Sequence, residues 1–360
     1  MAGSGGGVPP GAGGGRKGLL AGGLSRGAGC SRAESGLTLP RARRRLAALA
    51  SRLPSPPGRA SLVASGENPD CRDRIALGIE ALAGRLAALG AEASGCLLAR
   101  ASAAAMCAAT LGRTEAEALA LARVRCLAEA ALWPEPFAVA LAADPGALPC
   151  VRLPWRLLAA ALAPAAGPEP VTDRALTLRA ACRADAPALV DLVEGAYRGE
   201  RSRRGWTTEA ELLDGQRTDL AMVEEMLDDP EGRILVVSSA EGLLGCAHLR
   251  RERSHAWFGM FAVRPERQRS GLGSLLLAAA EDHARSVWRC RELRMKVIVQ
   301  RAELIAWYRR RGYRPTGGLA PFPYGDPRFG IPRRDDLAFA ILAKRLRSSI
   351  GRGGASESAR

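Results

Sequence analysis

This sequence predicts an α+β chain of two domains behind an unfolded N-terminal tail, and three observations carry that reading. Residues 1–40 are mostly Gly, Ala, Ser, Arg and Pro, hold Glu34 as their one acid, and show no periodic apolar pattern able to bury a face. No regular helix or strand crosses Ala163-Pro164-Ala165-Ala166-Gly167-Pro168-Glu169-Pro170. The patterns on either side of that stretch differ, and 360 residues suffice for two cores. The expected organisation is a tail over 1–40, a first domain over 41–163, a linker over 164–174, a second domain over 175–347 and a short tail over 348–360.

Upstream of the Pro-rich stretch, residues 75–93 read as two short strands around Gly84, followed by Ala-rich helical stretches. Thr114 with Glu115 and Glu117 offers an N-cap and early acids for a helix through Leu121, and residues 153–162 read as a closing helix. Downstream come a strand at 176–180, a helix opening near Asp185-Ala186-Pro187, and a helix around 219–227. Strands at 233–238, 242–250 and 257–263 follow, then a helical run over 274–285 and a strand at 293–299. Such a meander predicts a mixed sheet rather than an all-parallel one.

The net charge of +15 raises the question of nucleic acid, and its distribution answers it. Residues 1–66 carry +9, residues 67–165 carry −1 and residues 166–360 carry +7, so the excess is densest at the N-terminus and lacks the interleaved aromatics of a nucleic-acid binder. An Arg- and Ser-containing, acid-poor N-terminus is what an organellar transit peptide looks like, which implies a plastid or mitochondrial location; a plain tail implies the cytoplasm. No apolar run reaches the ~18 residues of a membrane span, so no membrane partner is expected. Nine cysteines without a secretory leader argue for a reduced compartment and for metal or thiol chemistry.

After the strand Phe258-Gly259-Met260-Phe261-Ala262-Val263 the chain turns at Arg264-Pro265, enters Gln268-Arg269-Ser270-Gly271-Leu272-Gly273, and continues as a helix from Ser274. Glycines let the backbone turn with its N–H groups inward, and the new helix places its positive end there, so a pyrophosphate binds without a lysine. Together with Ala306-Trp307-Tyr308-Arg309-Arg310-Arg311-Gly312-Tyr313, this order resembles motif A and the Tyr-x-x-x-Gly-Phe segment of the GNAT acetyltransferase superfamily. The resemblance covers residues ~175–347 and implies a mixed-sheet α/β domain that binds acetyl-CoA. The loop Gln268 to Ser274 would hold the pyrophosphate, Phe261, Ala262 and Val263 would line the pantetheine arm, and Tyr308 would be the general acid toward the departing thiolate. Trp257 occupies the place where a carboxylate base is sought; Glu252, His255 and Asp326 lie nearby, and no base is assigned. The stretches from Tyr197 to Thr218 and from Pro321 to Gly330 lie where such proteins cover the acceptor, a small-molecule or peptide amine.

In the first domain, Asn68-Pro69-Asp70-Cys71-Arg72-Asp73 is followed by Gly95-Cys96 with Ala101-Ser102, and then by Pro149-Cys150-Val151-Arg152-Leu153-Pro154-Trp155. This order resembles the U-type iron-sulfur cluster assembly scaffolds, the NifU N-terminal family, with Arg72 where that family has Gly and Pro149 where some members have His. The resemblance implies a metal site of Cys71, Asp73, Cys96 and Cys150 for an iron-sulfur cluster or zinc, soft thiolates with a labile carboxylate, and a cysteine desulfurase as partner. Cys107 and Cys126 read as core residues. The expected function is acetyl-CoA-dependent N-acetylation fused to a scaffold-like domain; the rival is a metal-binding assembly protein whose GNAT domain binds CoA without turnover.

Overall fold

The computed structural model describes residues 37–163 and 176–346. The linker at 164–174, most of the N-terminal tail and all of the C-terminal tail lie outside those residues. Helix α1 (Leu39–Ala50) begins two residues inside the expected tail: Pro40 sits in its first turn, and Ala42, Leu46 and Ala50, four apart, form its buried face.

Strands β1 (Leu62–Glu67), β2 (Arg74–Leu82) and β3 (Arg85–Ser94) form an antiparallel meander. The turn at Gly84, with φ +70°, joins the two strands expected there. Helices α2 (Leu97–Thr110), α3 (Glu115–Leu127), α4 (Phe137–Ala143) and α5 (Leu148–Leu162) complete the first half. Thr114 and Glu117 cap the start of α3 reciprocally, the motif its sequence offers. The expected closing helix at 153–162 starts earlier, as α5: Pro149 falls in the first turn, where its missing N–H is not needed, and Pro154 is tolerated inside.

The second half runs β4 (Thr177–Ala180), α6 (Ala186–Tyr197), α7 (Gly199–Arg203), β5 (Leu213–Asp214), α8 (Leu220–Asp228), β6 (Gly232–Ser239), β7 (Gly242–Glu252), β8 (His255–Val263), α9 (Leu272–Asp282), β9 (Glu292–Ile298), α10 (Ala302–Arg310), β10 (Arg314–Pro321), β11 (Ile331–Pro332) and β12 (Ala338–Arg345). Its seven-stranded sheet has the order β10-β12-β9-β8-β7-β6-β4, antiparallel except where β8 meets β9. Side chains alternate across it: Ile234 and Val236 of β6 join the core under α6 and α8, whereas Leu235 and Val237 join the core beneath α9.

That second core is continuous with the core of the first half. Helix α3 packs on α9, where Arg125 pairs with Asp282, both almost fully buried. Arg125 also donates to Leu132 O (3.2 Å) and Ser286 Oγ (3.1 Å) and lies 4.9 Å over the Trp133 ring. The backbone at Ala128 bridges the edge strand at Leu178, with Glu129 N donating to Leu178 O at 3.0 Å. The Pro-rich boundary divides the sequence without dividing the core. Asp282→Asn is expected to strand a buried guanidinium and to cost about 3 kcal/mol, since removing one partner of a buried pair leaves the other uncompensated. Denaturant midpoints check this, and unchanged stability would mean the pair does not fasten the halves.

Candidate functional site

Strands β8 and β9 pair in parallel only from His255↔Glu292 to Phe258↔Met295 and separate beyond. A bulge follows at once. On the β7 side, Cys246 pairs with Ala262 and His248 with Gly259, so Met260 and Phe261 together oppose Ala247, and Met260 adopts φ +41°. A cavity of about 220 Å³ lies beside the separated strand. Phe261, Ala262 and Val263 form one wall; Gln268, Arg269, Gly271, Gly273 and Ser274 form the next. Tyr197, Trp206 and Thr207 close a third side, and Arg301, Trp307, Tyr308 and Arg311 a fourth.

Gly271 precedes α9 with φ +92°, and Arg269 also lies in the left-handed region at +65°. Leu275 N donates to Gly271 O at 3.0 Å, so the amides of the first turn before it have no intrahelical acceptor and remain for an anion. A Cβ at Gly273 would come to 3.3 Å from Phe261 Cζ, so glycine there allows the strand and helix to approach. Gln268 is a strut: its Oε1 accepts from Trp206 N (2.6 Å) and its Nε2 donates to Val263 O (3.3 Å). Two loop residues turn their side chains away from the cavity. Ser270 donates back to Arg267 O at 2.6 Å, and Leu272 is buried in the core, so what they can offer a ligand is backbone.

Tyr308 is buried among the rings of Phe261 (6.5 Å), Trp307 (5.0 Å) and Tyr313 (5.8 Å). Burial pushes its hydroxyl well above the usual phenol range, Tyr197 adds to the rise, and Arg301 and Arg311 oppose it. Tyr197 donates its hydroxyl to Phe261 O at 2.8 Å, so that carbonyl has a second lone pair left for a ligand. Glu209 is buried between Arg198 (2.9 Å) and Arg301 (2.6 Å); burial raises its pKa, but the guanidiniums of Arg301, Arg217 and Arg198 outweigh this and hold it below the usual range. Strand pair β5–β11 ties the Tyr197–Thr218 stretch to the one ending at Gly330, which the sequence had marked separately.

None of the three carboxylate or imidazole candidates lines the cavity. Glu252 accepts from Trp257 Nε1 at 3.0 Å with His255 at 3.5 Å, and Asp326 is held by Arg328 on the surface. The cavity residues the sequence reading did not single out are Ala196, Arg301 and Leu304, and Arg311, quoted within the Tyr308 segment, was given no role there. Arg311 lies 3.6 Å from the Trp307 ring centre and donates to Ser274 Oγ at 2.9 Å.

Residues 194–313 match the acetyltransferase (GNAT) family. That segment is a GNAT acetyltransferase domain. The family is one of acetyltransferases, which transfer an acyl group from acetyl-CoA. Among solved structures, spermidine N-acetyltransferase from Vibrio cholerae in complex with CoA and spermine is similar at 19% identity, over 48% of this chain and 97% of that one, with a TM-score of 0.37. The ribosomal-protein-S18-alanine N-acetyltransferase from Escherichia coli is similar at 18% identity, over 49% and 97%, with a TM-score of 0.36. No curated protein matches the chain.

Outside the GNAT domain, Cys71, Asp73 and Cys150 place their ligand atoms within 4.8 Å of one another. The sulfurs of Cys71 and Cys150 are 3.2 Å apart, and Asn68 Nδ2 donates to both, at 3.0 and 3.2 Å. Cys96 joins through Asp73, whose Oδ1 accepts from Cys96 N at 2.7 Å. Gly95 precedes it at φ +123°, where a Cβ would collide with the Asp73 carboxylate. Asp73 is buried, and its Oδ2 has no partner. Burial lifts the thiols of Cys96 and Cys150 above their usual range, and Asp73 adds to both. The sulfurs of Cys71 and Cys150 and an orphaned carboxylate oxygen fit a thiophilic cation, whereas the Cys96 sulfur, expected as a further ligand, lies outside that group and caps α2 by accepting from Ala99 N at 3.4 Å. Arg72 holds φ +57°, a conformation natural to glycine. Ser102 donates to Val151 O at 2.6 Å and accepts from Trp155 Nε1 at 3.0 Å, so those motif residues brace α5 beneath Cys150. Cys107 is buried in the core, apart from this cluster.

Gly271→Val is expected to weaken CoA binding about tenfold or more. Space is open at its Cβ position, so the effect arises from the left-handed backbone that a β-branched residue resists. Calorimetric titration of CoA into wild type and variant checks this; equal affinities would remove the turn from the binding site.

Proposed function

We propose that the GNAT domain transfers the acetyl group of acetyl-CoA to a small-molecule or peptide amine, and that the first half is a scaffold-like domain holding zinc or an iron-sulfur cluster on Cys71, Asp73, Cys96 and Cys150. The observation supporting the first part most is the gap beside β8, with the anion-binding turn at Gly271 at one end and Tyr308 on its wall. The amine attacks the thioester carbonyl carbon, the C–S bond breaks as the tetrahedral intermediate collapses, and the Tyr308 hydroxyl gives its proton to the departing sulfur. Arg301 and Arg311 stabilise the tyrosinate that remains until solvent returns the proton. Among the described residues no carboxylate lines the cavity, so the proton lost by the amine leaves through water.

On the metal side, the thiolates of Cys71, Cys96 and Cys150 with Asp73 would be the ligands, and Asn68 supplies N–H bonds to two of the sulfurs. A bound centre there would supply sulfur-ligated chemistry that a cluster-building partner, such as a cysteine desulfurase, could use. The missing carboxylate on the cavity favours one second reading, a metal-binding protein whose GNAT domain holds CoA without turnover.

Tyr308→Phe is expected to lower the rate of CoA thiol release roughly 10²- to 10⁴-fold with CoA affinity nearly unchanged, because the hydroxyl acts on the leaving group. Wild-type turnover in that variant would remove Tyr308 from the mechanism, and CoA binding by the wild type with no turnover on any amine would favour the second reading. For the first half, metal analysis after anaerobic purification and reconstitution is expected to show about one centre per chain, sharply reduced in Cys150→Ser and retained in Cys107→Ser. Equal, negligible metal in all three would leave a scaffold shape without a metal site.

A further inference from the structure

A second cavity, of about 750 Å³, lies between the two halves, walled by α3 on one side and by α9 and the ends of α10 and β12 on the other. Ser274 and Arg311 line both it and the first cavity, so the two meet at the opening turn of α9. Cavities of ~300–1,000 Å³ are those that enclose whole small ligands.

Its charge is unbalanced in one direction. Each carboxylate on its wall is already engaged: Glu117 caps α3, Glu281 accepts from Lys344 at 2.8 Å and from Tyr313 at 3.0 Å, and Asp282 pairs with Arg125 and Arg285. Arg113 from the first half, Arg310 and Arg345 carry no ion pair among the described residues. Arg113, on the wall of this cavity, is fixed by donating Nε to Ala109 O at 2.7 Å. A site with several unpaired guanidiniums favours a group of high negative charge, and phosphate oxygens match guanidinium geometry.

We propose that this cavity receives the 3′-phosphorylated adenosine end of CoA, so that Arg113 of the first half is a binding residue for the substrate of the GNAT domain. This inference rests on the reading that CoA binds at the Gly271 turn. A pyrophosphate held there stands at the shared wall, and the adenosine extends from it past Ser274 and Arg311 into the second cavity. The first half thereby completes the CoA site.

The test is calorimetry on the full chain with CoA, dephospho-CoA and adenosine 3′,5′-bisphosphate. Wild type is expected to bind CoA about tenfold more tightly than dephospho-CoA, the worth of one charge-assisted phosphate contact. Arg113→Gln should reduce that preference to about twofold while dephospho-CoA binds as before, and Arg113→Lys should restore most of it. Adenosine 3′,5′-bisphosphate should compete with CoA and lose affinity in Arg113→Gln alongside it. Equal wild-type affinity for CoA and dephospho-CoA, or an Arg113→Gln variant that weakens both alike, would overturn the inference while leaving CoA binding at the turn intact. No CoA binding at all would overturn both.

Discussion

Helix α9 is the constraint on which the rest of the structure depends. Its first turn, set by the left-handed Gly271, faces the cavity beside β8; its far end carries Asp282, which holds the buried Arg125 of the other half. A buried ion pair adds little net stability against well-packed apolar residues, but breaking it is costly, so it fixes which surfaces meet. The helix therefore positions the turn relative to the first half as firmly as it positions it relative to its own sheet.

The second requirement is the separation of β8 from β9. A parallel pair that stayed in register would bury the edges of Phe261 to Val263 in ladder bonds and leave no room for a ligand. The bulge at Met260 ends the pairing, and the ring of Phe261 then stands against Gly273 and Tyr308. Backbone strain at one residue is thus converted into a lined cavity.

Much of this was legible in the sequence where local signals and the fold agree. The capping residues Thr114 and Glu117, the turn at Gly84 and the strand–turn–helix around Gly271 follow from residues whose local role is also their structural role. Other features had no local signal. The first two residues of helix α1 fell in the expected tail, and the true start of α5 was hidden by prolines that a first turn and a helix interior both accept. Arg125 and Asp282 are ordinary charged residues until a fold buries them together, and a cavity shared by residues as far apart as Arg113 and Arg311 has no sequence spacing. Arg301 was missed for the same reason.

The most direct test of the central claim, that the first turn of α9 and the freed edge of β8 form one anion-and-thioester site, is amide hydrogen exchange of the full chain with and without CoA. The account predicts slower exchange at residues 271–274 and 261–263 when CoA is present. Saturating CoA that leaves those amides exchanging as in the free protein, and protects others instead, would contradict it.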